Sequence, residues 1–396
     1  MSKHNFVETF NNINGGDFAN YTDLHYLLDK SKELDLSISE AFPIDSTKIS
    51  VNVKGSKELL LAQRNIDDKT CKLDIQSALS NVSFLGLTAS NQIKLALNSN
   101  DDIDPVICTS MYKSSNQFYD IFKMSTFADY LISNSLKEKI KPNIDYLISN
   151  ASNTEKQFRL LLINNEYFLR GLTSPRYKNY DNSIIIYVIL YLLDKLNTEN
   201  NTSFQITKFY LTDSDIRLFI NQSTPSEIPN VGLIYFGLLI SNNEITDGKV
   251  DIELRYHFYD PSKQTSFGCI PKIEDAFIQI QHTSSIKNAI SKFLSFNNII
   301  NQNNIMIEYI DSLSKIKVLT DDIAYSLLRK ITTSKAPYIS KSIKKSFKNL
   351  YDTRLVKNTY SIIEALDIVT NLATNIDEKI ALERIYYELI KEITAH

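Results

Sequence analysis

The sequence predicts an α+β fold: a two-hairpin antiparallel sheet packed on helices, with a helical C-terminal region. Three observations predict it. Val250, Ile252, Leu254, Tyr256 and Phe258 alternate with Lys249, Asp251, Glu253, Arg255 and His257, the period of a strand with one apolar face. The run from Ser183 to Leu196 is apolar on nearly all sides and too long for an average strand, so it reads as a buried helix. From Ile273 onward the apolar spacing becomes helical and stays so to the end of the chain.

Taken in order, residues 1–16 are polar, end in Gly15-Gly16 and read as a flexible arm. Residues 17–120 read as a small mixed α/β region, from short stretches such as Lys48–Val53, Leu59–Ala62 and Val82–Leu87. The acidic group Asp101, Asp102, Asp104 lacks the glycine and closing Glu of a calcium loop and reads as solvated. Residues 121–300 read as a central α+β core. It opens on a helical pattern, Ser125 to Leu162, with Pro142 as a break. A short strand, Tyr167–Leu172, then leads through a polar turn to the buried helix, which Asp181 or Asn182 would cap. Two hairpins follow. Thr212-Asp-Ser-Asp separates the arms of the first, whose return strand alternates Ile216, Leu218 and Ile220 with polar residues. Asp247-Gly248 is the turn signal of the second, and its return strand is expected to show charge of both signs to solvent. Residues 301–396 form the helical C-terminal region, with Thr320 capping one helix and further helices over Thr359–Thr374 and Asn375–Ile393.

The chain has 396 residues, 43% hydrophobic and 22% charged, and a formal charge of -3. Collagen-like, disulfide-scaffold and wholly disordered readings are thereby excluded. Only 9 glycines occur, where average usage of about 7% would give roughly three times as many. Trp is absent, while Tyr 22, Phe 20 and 37 asparagines point to A/T-rich codons, as in a bacteriophage, a mobile element or an A/T-rich bacterium. Cys71, Cys108 and Cys269 lie far apart and read as free thiols, with neither a disulfide framework nor a zinc site. The N-terminus lacks an apolar signal segment, and the longest apolar run, Ile184 to Leu193, falls short of the roughly 20 residues that span a bilayer. The expectation is a protein of the host-cell cytoplasm or of a virion, with no membrane partner, no metal and no cofactor.

Four segments in order carry a resemblance: Ser174-Pro175-Arg176-Tyr177 between a strand and a helix, Ser241-Asn242-Asn243-Glu244 at a strand end, His282-Thr283 opening a helix, and a terminal pair from Asn358-Thr359-Tyr360 through Ala381-Leu382-Glu383-Arg384. Over roughly residues 120–390 the chain resembles the uncharacterised phage/plasmid-like protein family (domain of unknown function 932). Two departures stand out. Pro175 replaces a usual acidic residue, and Asp260-Pro-Ser-Lys-Gln-Thr-Ser-Phe-Gly replaces a cysteine-threonine-asparagine-glycine segment. The resemblance implies a mobile-element origin and a shared fold, not a reaction.

The sharpest physical feature is a segregation of charge. Nine basic residues and one acid, Asp352, lie between Arg329 and Lys357. At about 100° per residue, Ile339, Ile343, Phe347 and Leu350 share one helix face, with Lys341, Lys344, Lys345 and Lys348 opposite. Such a face can dock on phosphates and release counterions, with Tyr338 and Tyr351 adding stacking, or it can simply be solvated. A second group, Arg170, Arg176 and Lys178 beside Tyr177 and Tyr180, precedes a helix N-terminus and would suit a phosphate or a single strand. Arg176, Tyr177, Asn242, Glu244 and His282 form a candidate buried polar network, with Arg176 paired to Glu244. No catalytic centre is legible: the five histidines are scattered, and no metalloprotease, nucleophile-elbow or P-loop motif occurs. The expected function is nucleic-acid binding without catalysis, of single-stranded DNA for instance, in replication, recombination or packaging. A virion structural or cargo protein, bound to other phage proteins or to copies of itself, is the alternative from another class. An enzyme of unknown reaction ranks third.

Overall fold

Alternating and helical segments assemble into a mixed α+β structure with two sheets in the computed structural model. It describes residues 6–45, 47–98, 104–151, 154–228, 232–245, 248–272, 277–300, 319–336, 338–355 and 361–394. Asp101, Asp102, Asp247, Pro337 and the Asn358-Thr359-Tyr360 segment lie outside the described residues.

Strand β1 (Val7–Asn11) precedes helices α1 (Tyr21–Leu24), α2 (Glu33–Ala41) and α3 (Ser56–Asp67). Strands β2 (Cys71–Ala78), β3 (Val82–Leu87), β4 (Ile93–Leu97) and β5 (Val106–Ser110) follow. After α4 (Ser114–Ile121), α5 (Ser125–Ser133) and α6 (Ile140–Ser149) come β6 (Glu155–Ile163) and β7 (Glu166–Thr173). Helix α7 (Asn182–Glu199) leads to β8 (Phe204–Thr212), β9 (Asp215–Gln222), β10 (Ser226–Ile228), β11 (Gly232–Asn243), β12 (Lys249–Asp260), β13 (Thr265–Cys269) and β14 (Phe277–Gln281). The helices α8 (Ile286–Leu294), α9 (Phe296–Ile300), α10 (Asp321–Thr333), α11 (Lys341–Leu350), α12 (Ile362–Thr370) and α13 (Ile376–Thr394) end the described chain.

The larger sheet runs β1-β8-β9-β11-β12-β13, with β10 on β11 and β14 on β12, and all its pairs are antiparallel. The smaller runs β2-β6-β7-β5-β4-β3, antiparallel except where β5 lies parallel to β7. Each sheet has its own core. One gathers apolar side chains from residues 19–66 and again from 180–390, around α7; the other is built from residues 79–169. The smaller sheet and its helices are thus an insertion into the chain of the larger. This corrects the division expected at 120/121, which falls inside the smaller sheet: Cys108 on β5 faces Tyr167 on β7.

Two further expectations change. The polar arm carries β1, an edge strand paired with β8 from Val7 opposite Thr212 to Asn11 opposite Lys208. Only half of an edge strand packs, here through Phe10 stacked on Phe209 at 5.5 Å, so the segment shows little apolar signal. The helical pattern expected from Ser125 to Leu162 stops at Ser149, and Glu155–Ile163 is a strand whose Phe158, Leu160 and Leu161 are buried. Pro142 does not break α6, because it sits in the first turn, where an N–H has no intrahelical acceptor to lose.

Beyond Lys249, which is exposed, the charged face of β12 is half-buried or buried and not turned fully to solvent. Arg255 is buried and donates from Nε and Nη2 to Glu383 on α13, both at 2.8 Å, and Arg384 pairs with Glu253 at 2.6 Å. Opposite them, Gly268 on β13 has no side chain because a Cβ would occupy the space of the Glu383 carboxylate and the Arg255 guanidinium. The last helices start where their caps say they should. Thr320, Ser340 and Ser361 accept hydrogen bonds from the N–H groups of Ile323, Ile343 and Glu364. Among the described residues, no helix is long and apolar enough to cross a membrane.

Candidate nucleic-acid interface

Three strands of the smaller sheet point charged side chains toward the larger one. Lys72 and Asp74 alternate on β2, Arg159 on β6 stands directly opposite Asp74, and Arg170 comes from β7. The larger unit answers with Asp181, just before α7, and Glu244, just after β11. Three cations (Lys72, Arg159, Arg170) thus meet three carboxylates (Asp74, Asp181, Glu244).

Glu244 is the hub. Its Oε1 accepts from Lys72 Nζ at 2.7 Å and from the Asn182 N–H at 2.8 Å, and its Oε2 accepts from Arg170 Nη1 at 2.6 Å. The carbonyl of the same residue accepts from Tyr177 Oη at 3.0 Å and from Arg159 Nη1. Arg159 also donates to Asp74 at 3.1 Å and Asp181 at 2.8 Å. With Asp181 engaged by Arg159, Glu244 takes over the buried first amide of α7, so a residue distant in sequence replaces the local cap. Burial disfavours ionised Asp181, but Arg159, Lys72 and Arg170 outweigh it and hold the carboxyl well below the usual carboxylate range. Burial likewise opposes the Lys72 ammonium, and Glu244 and Asp181 outweigh it, raising its pKa. Arg170 is fully buried, yet its Nε and Nη2 have no acceptor among the described residues.

Beside this junction, His282 is buried with its ring stacked on Tyr177 at 4.5 Å. Its Nδ1 lies 3.1 Å from the Lys178 carbonyl and its Nε2 lies 3.0 Å from Asn242 Oδ1. Asn242 cannot turn its amide, because Nδ2 already donates to Tyr180 O at 2.9 Å and Asn182 Oδ1 at 3.0 Å. A neutral ring has one N–H for these two oxygens. A second proton would satisfy both, but burial pushes the pKa down to about 4, the Lys178 carbonyl only partly opposing it. At neutral pH the ring therefore donates to one oxygen and strains against the other.

The structure brings Tyr177, Asn242, Glu244 and His282 together and leaves Arg176 out. Arg176 is exposed, so the expected pairing with Glu244 is corrected: Arg170 and Lys72 fill that role. Arg170 in turn cannot meet a nucleic acid as expected, since it has no solvent-facing surface and is spent on Glu244 and the Asp213 carbonyl. Lys178 is exposed and joins the junction only through its backbone. Sequence reasoning missed Lys72, Asp74, Arg159 and Asp181; the available signal was charge at alternate positions of an otherwise apolar strand.

Helix α11 buries Ile343 and Phe347 and leaves Lys341, Lys345 and Lys348 exposed. No carboxylate pairs with these three among the described residues. Lys344 is half-buried, and its Nζ donates to the Ser334 carbonyl at 2.6 Å. Nearer the junction, Asn242 and Asn243 line a cleft of about 1310 Å³ between the two sheets, and Tyr338, just before α11, reaches its wall. Among the described residues no cluster of three or more His, Cys, Asp or Glu could hold a metal ion. No family model, curated protein or solved structure matches this chain.

Proposed function

We propose that this protein binds nucleic acid without catalysing a reaction on it, as an accessory to replication, recombination or packaging in a phage or related element. The observation that carries this reading is the solvent-facing lysine row of α11. Ion-paired lysines would have to break their bridges to meet phosphate, whereas Lys341, Lys345 and Lys348 have no carboxylate partner to leave among the described residues. The non-catalytic part rests on the junction. Glu244 is saturated by three donors, and both ring nitrogens of His282 face oxygen atoms, so neither is free to serve as a general base. The A/T-rich composition and the family resemblance support the mobile-element setting.

The test is oligonucleotide binding by the full chain across a salt series. Three or four phosphate contacts made by α11 to a single strand contribute about -2 to -3 to the log-log slope. Changing Lys341, Lys344, Lys345 and Lys348 to Glu should weaken binding by more than about tenfold and flatten that slope. Absence of binding by the unmodified protein at low salt refutes the proposal.

A further inference from the structure

We propose that the cleft between the two sheets holds a single strand of nucleic acid, an inference that rests on the nucleic-acid reading and gives it a second, deeper site. Small-molecule pockets run to about 300–1,000 Å³. At about 1310 Å³ this cleft is larger, and it is partly open to solvent, as a stretch of linear polymer requires.

The charge of the lining decides the sign of the occupant. One wall, from the smaller unit, carries Lys113, Lys123 and Lys156; the other carries Arg217 and Lys249. Two acids are present, Asp120 and Asp251, and Asp251 is already engaged by Lys249 at 3.5 Å and by Gln279 at 2.9 Å. Arg217 is partly spent on Asp377 at 3.5 Å. What remains is the trio Lys113, Lys123 and Lys156, which has no carboxylate partner among the described residues. They line the cleft from the residue before α4, the segment after it and β6.

The remaining lining separates an unpaired strand from other polyanions. The side-chain amide of Asn116 and the amide oxygen of Asn150 offer hydrogen bonds to base edges, Gln117 being engaged at both ends by Ile245 O and Leu172 N, and the rings of Phe122 and Tyr338 offer flat surfaces. Tyr338 is 46% exposed, so a base can stack on it without displacing core. A duplex keeps its bases stacked inward and shows only groove edges and phosphates, so it has no use for such rings. Tyr338 also stands just ahead of Ser340, the cap of α11, which places this part of the cleft lining beside the start of the lysine row. A base stacked on Tyr338 therefore lies next to the segment that carries Lys341.

The experiment uses the full chain and a labelled oligothymidylate read by fluorescence anisotropy. The variants are Lys113→Ala/Lys123→Ala/Lys156→Ala, Tyr338→Ala and the α11 lysine-to-glutamate set. The lysine triple should weaken binding by about tenfold or more and reduce the salt slope by about 2. Tyr338→Ala should weaken it by about fivefold or more with the slope unchanged, because stacking releases no counterion. The substituted positions are exposed except Lys156 and Lys344, which are half-buried, and an unchanged melting temperature shows that the fold is kept. If the α11 set loses binding while the triple retains both affinity and slope, the cleft assignment falls and the helix reading stands. If the unmodified protein does not bind at low salt, both fall. Equal affinity for the duplex, with equal sensitivity to Tyr338→Ala, overturns the single-strand assignment, and equal affinity for polyglutamate overturns the nucleic-acid class.

Discussion

Glu244→Gln keeps the volume of the side chain and removes one charge from the centre of the junction. The carboxylate accepts from Lys72 at 2.7 Å, from Arg170 at 2.6 Å and from the first amide of α7 at 2.8 Å. A glutamine retains one oxygen acceptor but turns an N–H toward a cation. Removing one partner of a buried ion pair costs about 3–5 kcal/mol, because the other charge stays buried and uncompensated. Arg170 has no exposed surface and, among the described residues, no carboxylate partner but Glu244, which argues for the upper half of that range. Lys72 is 18% exposed and still feels Asp181, which argues for some relief. The expected loss is about 4 kcal/mol, a large share of the roughly 5–15 kcal/mol that holds a typical domain folded. Urea unfolding followed by far-UV circular dichroism measures it. Hydrogen exchange locates it: the Asn182 amide should lose protection before the centre of α7 does. A companion variant, Arg170→Met/Glu244→Leu, should recover part of the loss, since it removes both partners of a buried pair and leaves Lys72 and Arg159 balanced by Asp74 and Asp181. A loss below about 1 kcal/mol for Glu244→Gln, or a companion variant no more stable than the single substitution, would refute the reasoning.

Three other substitutions test the account elsewhere. His282 is held at about 4 by burial, against an ordinary value of 6.5. The unfolded chain binds its proton first, so the stability that neutral His282 supplies is complete above pH 6.5 and is lost as pH falls toward 4, about 3 kcal/mol in all. His282→Gln should flatten the dependence of the urea midpoint on pH across that window, and an unchanged curve would count against a buried neutral ring. The acid loss below about pH 4 should remain, because the carboxyl of Asp181, depressed by its cations, is protonated only there. At the other end of the sheet, Gly268→Ala drives a Cβ into the Arg255–Glu383 pair and should cost about 3 kcal/mol or more. Glu383→Gln should cost a similar amount, and a double-mutant cycle of the two should show less than additive loss, since both break one contact; strict additivity would separate them.

Local signals carried part of this structure. The mixed α+β class and the buried helix α7 follow from apolar periods that a single segment displays by itself. So does α11, where Ser340, Ile343 and Phe347 fix the cap and the buried face. The insertion was not legible, because its evidence is a parallel pairing of β5 with β7 across three intervening helices. No local period records such a contact. β6 was read as helix for a related reason. Buried on both faces at its centre, it lacks apolar/polar alternation, and the apolar run of residues 160–163 after Arg159 does not distinguish strand from helix. The site divides the same way. Asn242, Glu244 and His282 come from segments whose polar residues interrupt apolar surroundings, and the structure places them together. Arg170 was assigned to solvent because charge usually lies there; its burial depends on Glu244, which arrives from another sheet.

Both features meet at the end of β11. Asn242 and Asn243 line the cleft, and Glu244, the next residue, holds the junction. The walls of the cleft belong to two separate cores, so packing within either core does not set the distance between them. The junction does: Arg159, reaching from β6 to Asp74, Asp181 and the Glu244 carbonyl, ties the strands of one wall to the helix start and strand end of the other. Its cations and carboxylates are equal in number. A cluster with excess carboxylate would draw down the positive potential of Lys113, Lys123 and Lys156, and one with excess cation would be unstable in a buried site. The balanced set avoids both, leaving the sign of the cleft to the lysines on its walls and the width to the buried pairs behind them.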